Sequence, residues 1–134
     1  MIKKNDIKII ILCGGKGTRI KEETIFRPKP LIPIGNKPII WHIMKTFDFQ
    51  GYNNFILTLG YKGELIKDYF LNYQSFNNNL TLNTKTGTSK SISNNPIEDW
   101  NITMVNTGVD NLKGSRIKQV EEYCKNEINI IVYG

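Results

Sequence analysis

Gly14, Gly15, Lys16, Gly17, Thr18 and Arg19 follow one another directly, and Arg27, Pro28, Lys29 and Pro30 come shortly after. Glycine has no Cβ, so a run this rich in it can curl backbone N–H groups around phosphate oxygens at close range. Lys16, Arg19, Arg27 and Lys29 add four cationic side chains to the same segment. That combination suits a polyphosphate. Two better-known glycine loops do not fit. No window supplies G-x-x-x-x-G-K-[ST]. The pattern G-x-G-x-x-G opens at Gly15 and Gly17, but Ile20 stands where the third glycine lets a helix pack closely on its strand.

The elements that must position this segment are legible from periodicity. Residues 7–13 (IKIIILC) form a short apolar run that reads as a buried strand emptying into the glycines. Pro38, Ile39, Ile40, Ile43, Met44 and Phe47 have helical spacing, with the proline in the first turn and Gly51 as the stop. Residues 55–59 give a second buried strand ending at Gly60. Residues 64–71 give a second helix, with Leu65, Ile66, Tyr69 and Phe70 on one side. Residues 80–83 and 102–105 are further strand candidates, separated by a polar stretch, 84–95, that reads as a flexible loop. Ile117, Val120 and Cys124 mark a third helix, and residues 128–132 a last buried strand. Strands alternating with helices predict an α/β fold: a Rossmann-like, mostly parallel sheet with helices on both faces, in one domain over residues 1–134. Ligands of such sheets bind beyond the carboxyl ends of the strands, where residues 14–19 lie.

Composition narrows the function classes. The chain has 134 residues, 40% hydrophobic and 22% charged, an ordinary globular balance. No apolar run approaches a membrane span. The charged start at residues 1–4 is followed by too short an apolar stretch for a secretory signal, so cytoplasmic residence is expected. Cys13 and Cys124 are too few for a disulfide framework or a zinc site and read as core thiols. The net charge of +6 invites a nucleic-acid reading. The basic residues are dispersed, however, without a run of five or interleaved aromatics, and a positive cleft for phosphates accounts for them as well. His42 is the single histidine, and without a second ligand at helical spacing it reads as structural.

The stretch GGKGTR with PKPLIPIGNKPIIWHIMK at 28–45 resembles the signature of the sugar-phosphate nucleotidyltransferases. A narrower likeness is to the glucose-1-phosphate cytidylyltransferase branch. It is carried by Glu22-Glu23-Thr24, by Gly60-Tyr61-Lys62-Gly63 with Ile66-Lys67 and Tyr69-Phe70, and by WNITMVNTG at 100–108 followed by GSRIK at 114–118. It spans essentially the whole chain. The resemblance implies a Rossmann-like nucleotide-binding fold, incomplete relative to the family. It also implies attack of glucose 1-phosphate on the α-phosphorus of CTP, giving CDP-glucose and pyrophosphate. On that reading Leu12, Cys13, Gly14, Gly15 and Lys16 lie against the nucleotide, and Gly17 and Thr18 continue the phosphate cradle. Arg19 and Lys29 are the catalytic cations. Asn111 and Arg116 match nucleotide contacts of the cytidylyl branch, where a guanidinium can donate to cytosine O2 or N3.

The family's Mg²⁺ is expected as cofactor, but its aspartate ligands are absent from this sequence: Tyr133-Gly134 matches the point just before the first of them. The chain is therefore expected to bind CTP with little turnover of its own. It would act as a truncated product or with a complementing C-terminal fragment, or assemble as a homo-oligomer. The alternatives are a uridylyl- or thymidylyltransferase acting on glucose 1-phosphate, a non-catalytic nucleotide-binding module and, last, a nucleic-acid binder. No nucleic-acid or membrane partner is expected.

Overall fold

The computed structural model describes residues 3–14, 26–92, 96–108, 118–119 and 129–133. Four parallel strands make the main sheet: β1 (Lys8–Leu12), β4 (Asn54–Leu59), β7 (Asn101–Asn106) and β8 (Asn129–Tyr133), in the spatial order β7-β4-β1-β8. β1 is central, with Ile10 paired to Ile56 on one side and Ile131 on the other. This is the predicted α/β architecture. A strand buried on both faces needs a continuous apolar run rather than alternation. In β1 every residue after Lys8 is buried, and in β4 every residue after Asn54.

Alternate residues of these strands feed two cores. Ile9, Ile11, Cys13, Phe55, Leu57 and Leu59 pack against Ile40 and Met44 of helix α1 (Ile39–Phe49) and Ile66 of helix α2 (Gly63–Leu71). Ile10, Leu12 and Ile56 point to the opposite face and are also buried, with Val105 beside them. Both faces of the central strands are thus covered. Of the predicted third helix, only Lys118 and Gln119 lie within the described residues, and both are helical; Cys124 lies outside them. Pro38 stands one position earlier than predicted. It is the N-cap of α1 and pairs in a small hairpin, β2 (Pro33–Ile34) with β3 (Lys37–Pro38).

The stretch 84–95 departs from its reading as a loop. Ser89–Ser91 forms strand β6, antiparallel to β5 (Leu80–Leu82), in a hairpin separate from the main sheet. Asn83 shapes its turn, its Oδ1 accepting from the N–H groups of Lys85 and Thr86, and Gly87 supplies φ +73°. A Ser-Lys-Ser strand has no apolar alternation to betray it, and its pairing is main-chain only. A short helix, α3 (Tyr73–Asn77), is likewise not apparent from the sequence.

α3 is held by a polar chain. Trp41 Nε1 donates to Tyr73 Oη (2.8 Å), Tyr73 Oη donates to Glu98 Oε2 (2.9 Å), and Lys45 Nζ reaches Glu98 Oε1 at 3.5 Å. Burial would raise the Glu98 pKa, but hydrogen bonds from its own backbone and from Tyr73, with the Lys45 charge, bring it below its ordinary value of 4.5. Burial and Glu98 together push the Tyr73 hydroxyl well above the usual phenol range. A carboxylate with a depressed folded pKa stabilises the fold above its unfolded pKa, and that contribution disappears as the pH falls through the folded value. Urea midpoints measured downward from pH 6 should therefore fall more steeply below about pH 4.5 for the wild type than for Glu98→Gln. Parallel pH profiles would remove Glu98 from this role.

Candidate nucleotide site

The candidate site is built at the carboxyl edge of the sheet, where three strands run into glycine. Beyond β1 the ladder continues for one residue: Cys13 N–H donates to Thr58 O (3.0 Å), with Thr58 Oγ1 at 3.3 Å. Thr107 is buried, and both its N–H (2.8 Å) and its hydroxyl (3.1 Å) donate to Leu59 O, which pins the end of β7 to the end of β4. Gln119 Nε2 donates to Thr107 O at 3.2 Å and ties residue 119 to the same edge.

These bonds bring Gly14, Gly60 and Gly108 together. A Cβ on Gly60 would stand 2.7 Å from Gly14 O, 2.9 Å from Gly14 Cα and 2.9 Å from Gly108 O. Gly60 is therefore required for space. Gly108, at φ +87°, is required for conformation as well. From sequence Gly60 is only a strand terminator, and its approach to Gly14 is not evident. A signal for it exists, because IIILCGG, FILTLG and ITMVNTG repeat one pattern, an apolar strand running into glycine.

Of the predicted site residues, Leu12, Cys13 and Gly14 are buried at this edge. Leu12 pairs with Tyr133 of β8, so that strand ends beside them. Burial pushes the Cys13 thiol up to about 12, and its Sγ–H points at Ile11 O (3.6 Å). It is a protonated core thiol at neutral pH, as expected. Lys29 opens a 3₁₀ turn, Lys29–Leu31, between the buried Pro28 and Pro30. The turn is docked by Leu31 on the main core and by Ile39 N–H donating to Ile32 O. No ion pair among the described residues holds the Lys29 ammonium. Gly15, Lys16, Gly17, Thr18, Arg19, Asn111, Arg116 and Gly134 lie outside the described residues. His42 Nε2 meets Ile34 O at 2.9 Å, where the ring N–H donates and fastens the β2–β3 hairpin to α1.

A cleft of about 290 Å³ opens between the ends of β4 and β7. Leu59, Gly60, Gly63 and Gly108 belong to its wall, together with Glu64, Lys67 and Asn106. The preceding Lys62 is the one non-glycine residue with positive φ among the described residues (φ 52°) and caps α2 with left-handed backbone. Its ammonium lies 5.7 Å from the Tyr61 ring centroid. A larger groove of about 440 Å³ runs between the Lys29 turn, the β2–β3 hairpin and α2, and touches none of the strand-end residues. Among the described residues no three His, Cys, Asp or Glu side chains gather as a metal site.

The family model for nucleotidyl transferases matches residues 8–125. A Bacillus subtilis (strain 168) protein described as a probable glucose-1-phosphate cytidylyltransferase is 51% identical over 128 residues, covering 96% of this chain and 50% of the relative. The glucose-1-phosphate cytidylyltransferase of Salmonella typhimurium is 43% identical over 129 residues, with 96% and 50% covered. The chain thus spans about half the length of the curated relatives it matches. A crystal structure of UDP-glucose pyrophosphorylase with UDP-glucose superposes with a TM-score of 0.68 at 20% identity, over 95% of this chain and 44% of that one, a likeness of fold.

Proposed function

We propose that this chain, which belongs to the nucleotidyl transferase family, carries the nucleotide-binding region of a glucose-1-phosphate cytidylyltransferase. The observation that carries the reading is the meeting of Gly14, Gly60 and Gly108 at the carboxyl edge of a parallel sheet. In the sequence the glycine- and cation-rich segment 15–19 follows Gly14, in a chain 51% identical to a protein described as a probable glucose-1-phosphate cytidylyltransferase. In the proposed reaction an oxygen of glucose 1-phosphate attacks the α-phosphorus of CTP. A new P–O bond forms as the bond to the β-phosphate bridge breaks, and pyrophosphate leaves. Such a step asks the protein for positioning and charge neutralisation rather than covalent chemistry.

In this reading the 14–18 backbone cradles the phosphates, Arg19 and Lys29 neutralise their charge, and Asn111 and Arg116 face the base. Mg²⁺ is the cofactor of the proposed reaction. No helix among the described residues is long and apolar enough to cross a membrane. Residence in the cytoplasm is part of the same proposal.

Calorimetry with CTP, UTP and dTTP tests the binding and separates the cytidylyl reading from its uridylyl and thymidylyl alternatives. Pyrophosphate release with CTP, glucose 1-phosphate and Mg²⁺ separates an enzyme from a binding module. The assay is run with the chain alone and with a protein covering the rest of the relatives' length. Arg19→Ala is expected to weaken CTP binding by about 1.5–3 kcal/mol, the scale of a hydrogen bond to a charged group. Equal affinities for mutant and wild type would sink the assignment of Arg19.

A further inference from the structure

We infer that the Thr107 hydroxyl is a positioning group: it fixes how the chain turns out of β7, and so holds Gly108 against Gly60 and Gly14 in the arrangement that receives the nucleotide. The inference rests on the nucleotide-binding reading above and adds a residue whose effect on binding passes through the backbone.

Thr58 and Thr107 are the two buried residues with polar side chains among those described, 0% and 2% exposed. Both stand at the carboxyl edge of the sheet, and each joins its strand to a neighbour. Thr58 Oγ1 accepts from the Cys13 N–H at 3.3 Å, and Thr107 Oγ1 donates to Leu59 O at 3.1 Å. A buried hydroxyl costs free energy unless it is bonded, and valine has the same shape without that demand. Valine also suits a pleated, half-buried backbone at least as well. The hydroxyl at residue 107 therefore calls for a reason beyond filling space.

Satisfying Leu59 O is not that reason. The Thr107 N–H already donates to it at 2.8 Å, one residue past the last ladder pair, Leu59 with Asn106. With that bond alone, residue 107 could still swing about it. The hydroxyl adds a second bond to the same oxygen, and a β-branched side chain has few χ1 rotamers to choose from. Gln119 Nε2 then donates to Thr107 O at 3.2 Å. The peptide unit that leads into Gly108 is thus held through the N–H, the side chain and the carbonyl of one residue.

Gly108 needs this restraint. Its φ of +87° suits glycine, which has no side chain to resist rotation. Its carbonyl oxygen stands 2.9 Å from the point a Gly60 Cβ would occupy, and Gly14 O stands 2.7 Å from the same point. Rotation at Gly108 would drive that oxygen into Gly60 or draw it away. Either shift disturbs the junction from which the proposed phosphate-binding segment starts. Rigidity that a glycine cannot supply itself is supplied by the threonine before it.

The test is CTP calorimetry and thermal melting on wild type, Thr107→Val and Thr107→Ser. Valine keeps the shape and the N–H bond to Leu59 O, while serine keeps the hydroxyl. Thr107→Val is expected to melt within about 5 °C of the wild type. Its CTP affinity should nevertheless fall by about tenfold, the scale of one hydrogen bond. Thr107→Ser should recover most of that affinity. A purely structural role would give the reverse, a lower melting temperature with the CTP affinity of the folded molecules unchanged, and that result would overturn the inference. Equal losses of affinity in the valine and serine variants would overturn it too, as would a Thr107→Val chain that does not fold. Failure of the wild type to bind CTP would instead remove the nucleotide-binding reading itself, and this inference with it.

Discussion

Gly60→Val is expected to destabilise the chain by at least the upper end of the roughly 1–3 kcal/mol typical of overpacking, and to abolish nucleotide binding in the molecules that still fold. The first added carbon already stands 2.7 Å from Gly14 O and 2.9 Å from Gly108 O. Both obstacles are backbone atoms, which cannot rotate aside as a side chain can. Relief requires the ends of β1 and β7 to move apart. Thr107 opposes this through two hydrogen bonds to Leu59 O, and Cys13 through its bond to Thr58 O. Any displacement is passed to Gly14, and so to the start of the proposed phosphate-binding segment. Gly35→Ala is the control: its φ is +67°, but an added Cβ there meets nothing within 4 Å. It should cost only the left-handed backbone penalty of about 1–2 kcal/mol and leave CTP binding unchanged. Urea midpoints and CTP calorimetry measure both variants. Wild-type affinity and stability in Gly60→Val would show that the three strand ends are not held together as described.

Phe55→Ala should cost about 3–5 kcal/mol, the larger effect on folding itself. Phe55 is fully buried in β4, beside the central strand, where it is paired with Ile9. Its ring meets Trp100 edge to face, with centroids 5.7 Å apart. Trp100 in turn lies 6.0 Å from the Tyr73 ring, so the cavity would open between the sheet and the aromatic cluster behind it. Set against a total stability of about 5–15 kcal/mol for a typical domain, the loss leaves little margin. A shift of the urea midpoint equivalent to less than about 1 kcal/mol would mean that the cluster collapses into the space. Movement of Tyr73 with the cluster would weaken its hydrogen bond to Glu98, one of the contacts that lower the Glu98 pKa.

The features legible in the sequence share a local origin. Residues 7–13 and 55–59 read as buried strands because a strand covered on both faces must be apolar at successive positions, and β1 and β4 lie there. The spacing of Ile40 and Met44 gave α1, and Ile66 with Tyr69 gave α2. The fold class followed from the alternation of these segments. The candidate phosphate segment at residues 14–19 with Lys29 stood out in the sequence because glycines and cations at short spacing have few other uses; of it the described residues include only Gly14 and Lys29. Where apolar pattern was lacking, the reading failed. β6 is polar throughout, and α3 has no apolar period of its own; Tyr73 owes its place to Trp41 and Glu98.

The sequence by itself determined the apolar strands β1 and β4 and the helices α1 and α2, and that a glycine- and cation-rich segment follows the first strand. Only the tertiary structure decided that Gly60 must fit against Gly14, that Thr107 ties β7 to Leu59, and that Glu64, Lys67 and Asn106 share one cleft. The reason is range. Secondary structure is set by side-chain periods of two or 3.6 residues that any short window contains. The bonds and approaches at the carboxyl edge join residues such as Cys13 and Thr58, or Leu59 and Thr107, which become neighbours only once parallel strands have paired across their crossover helices.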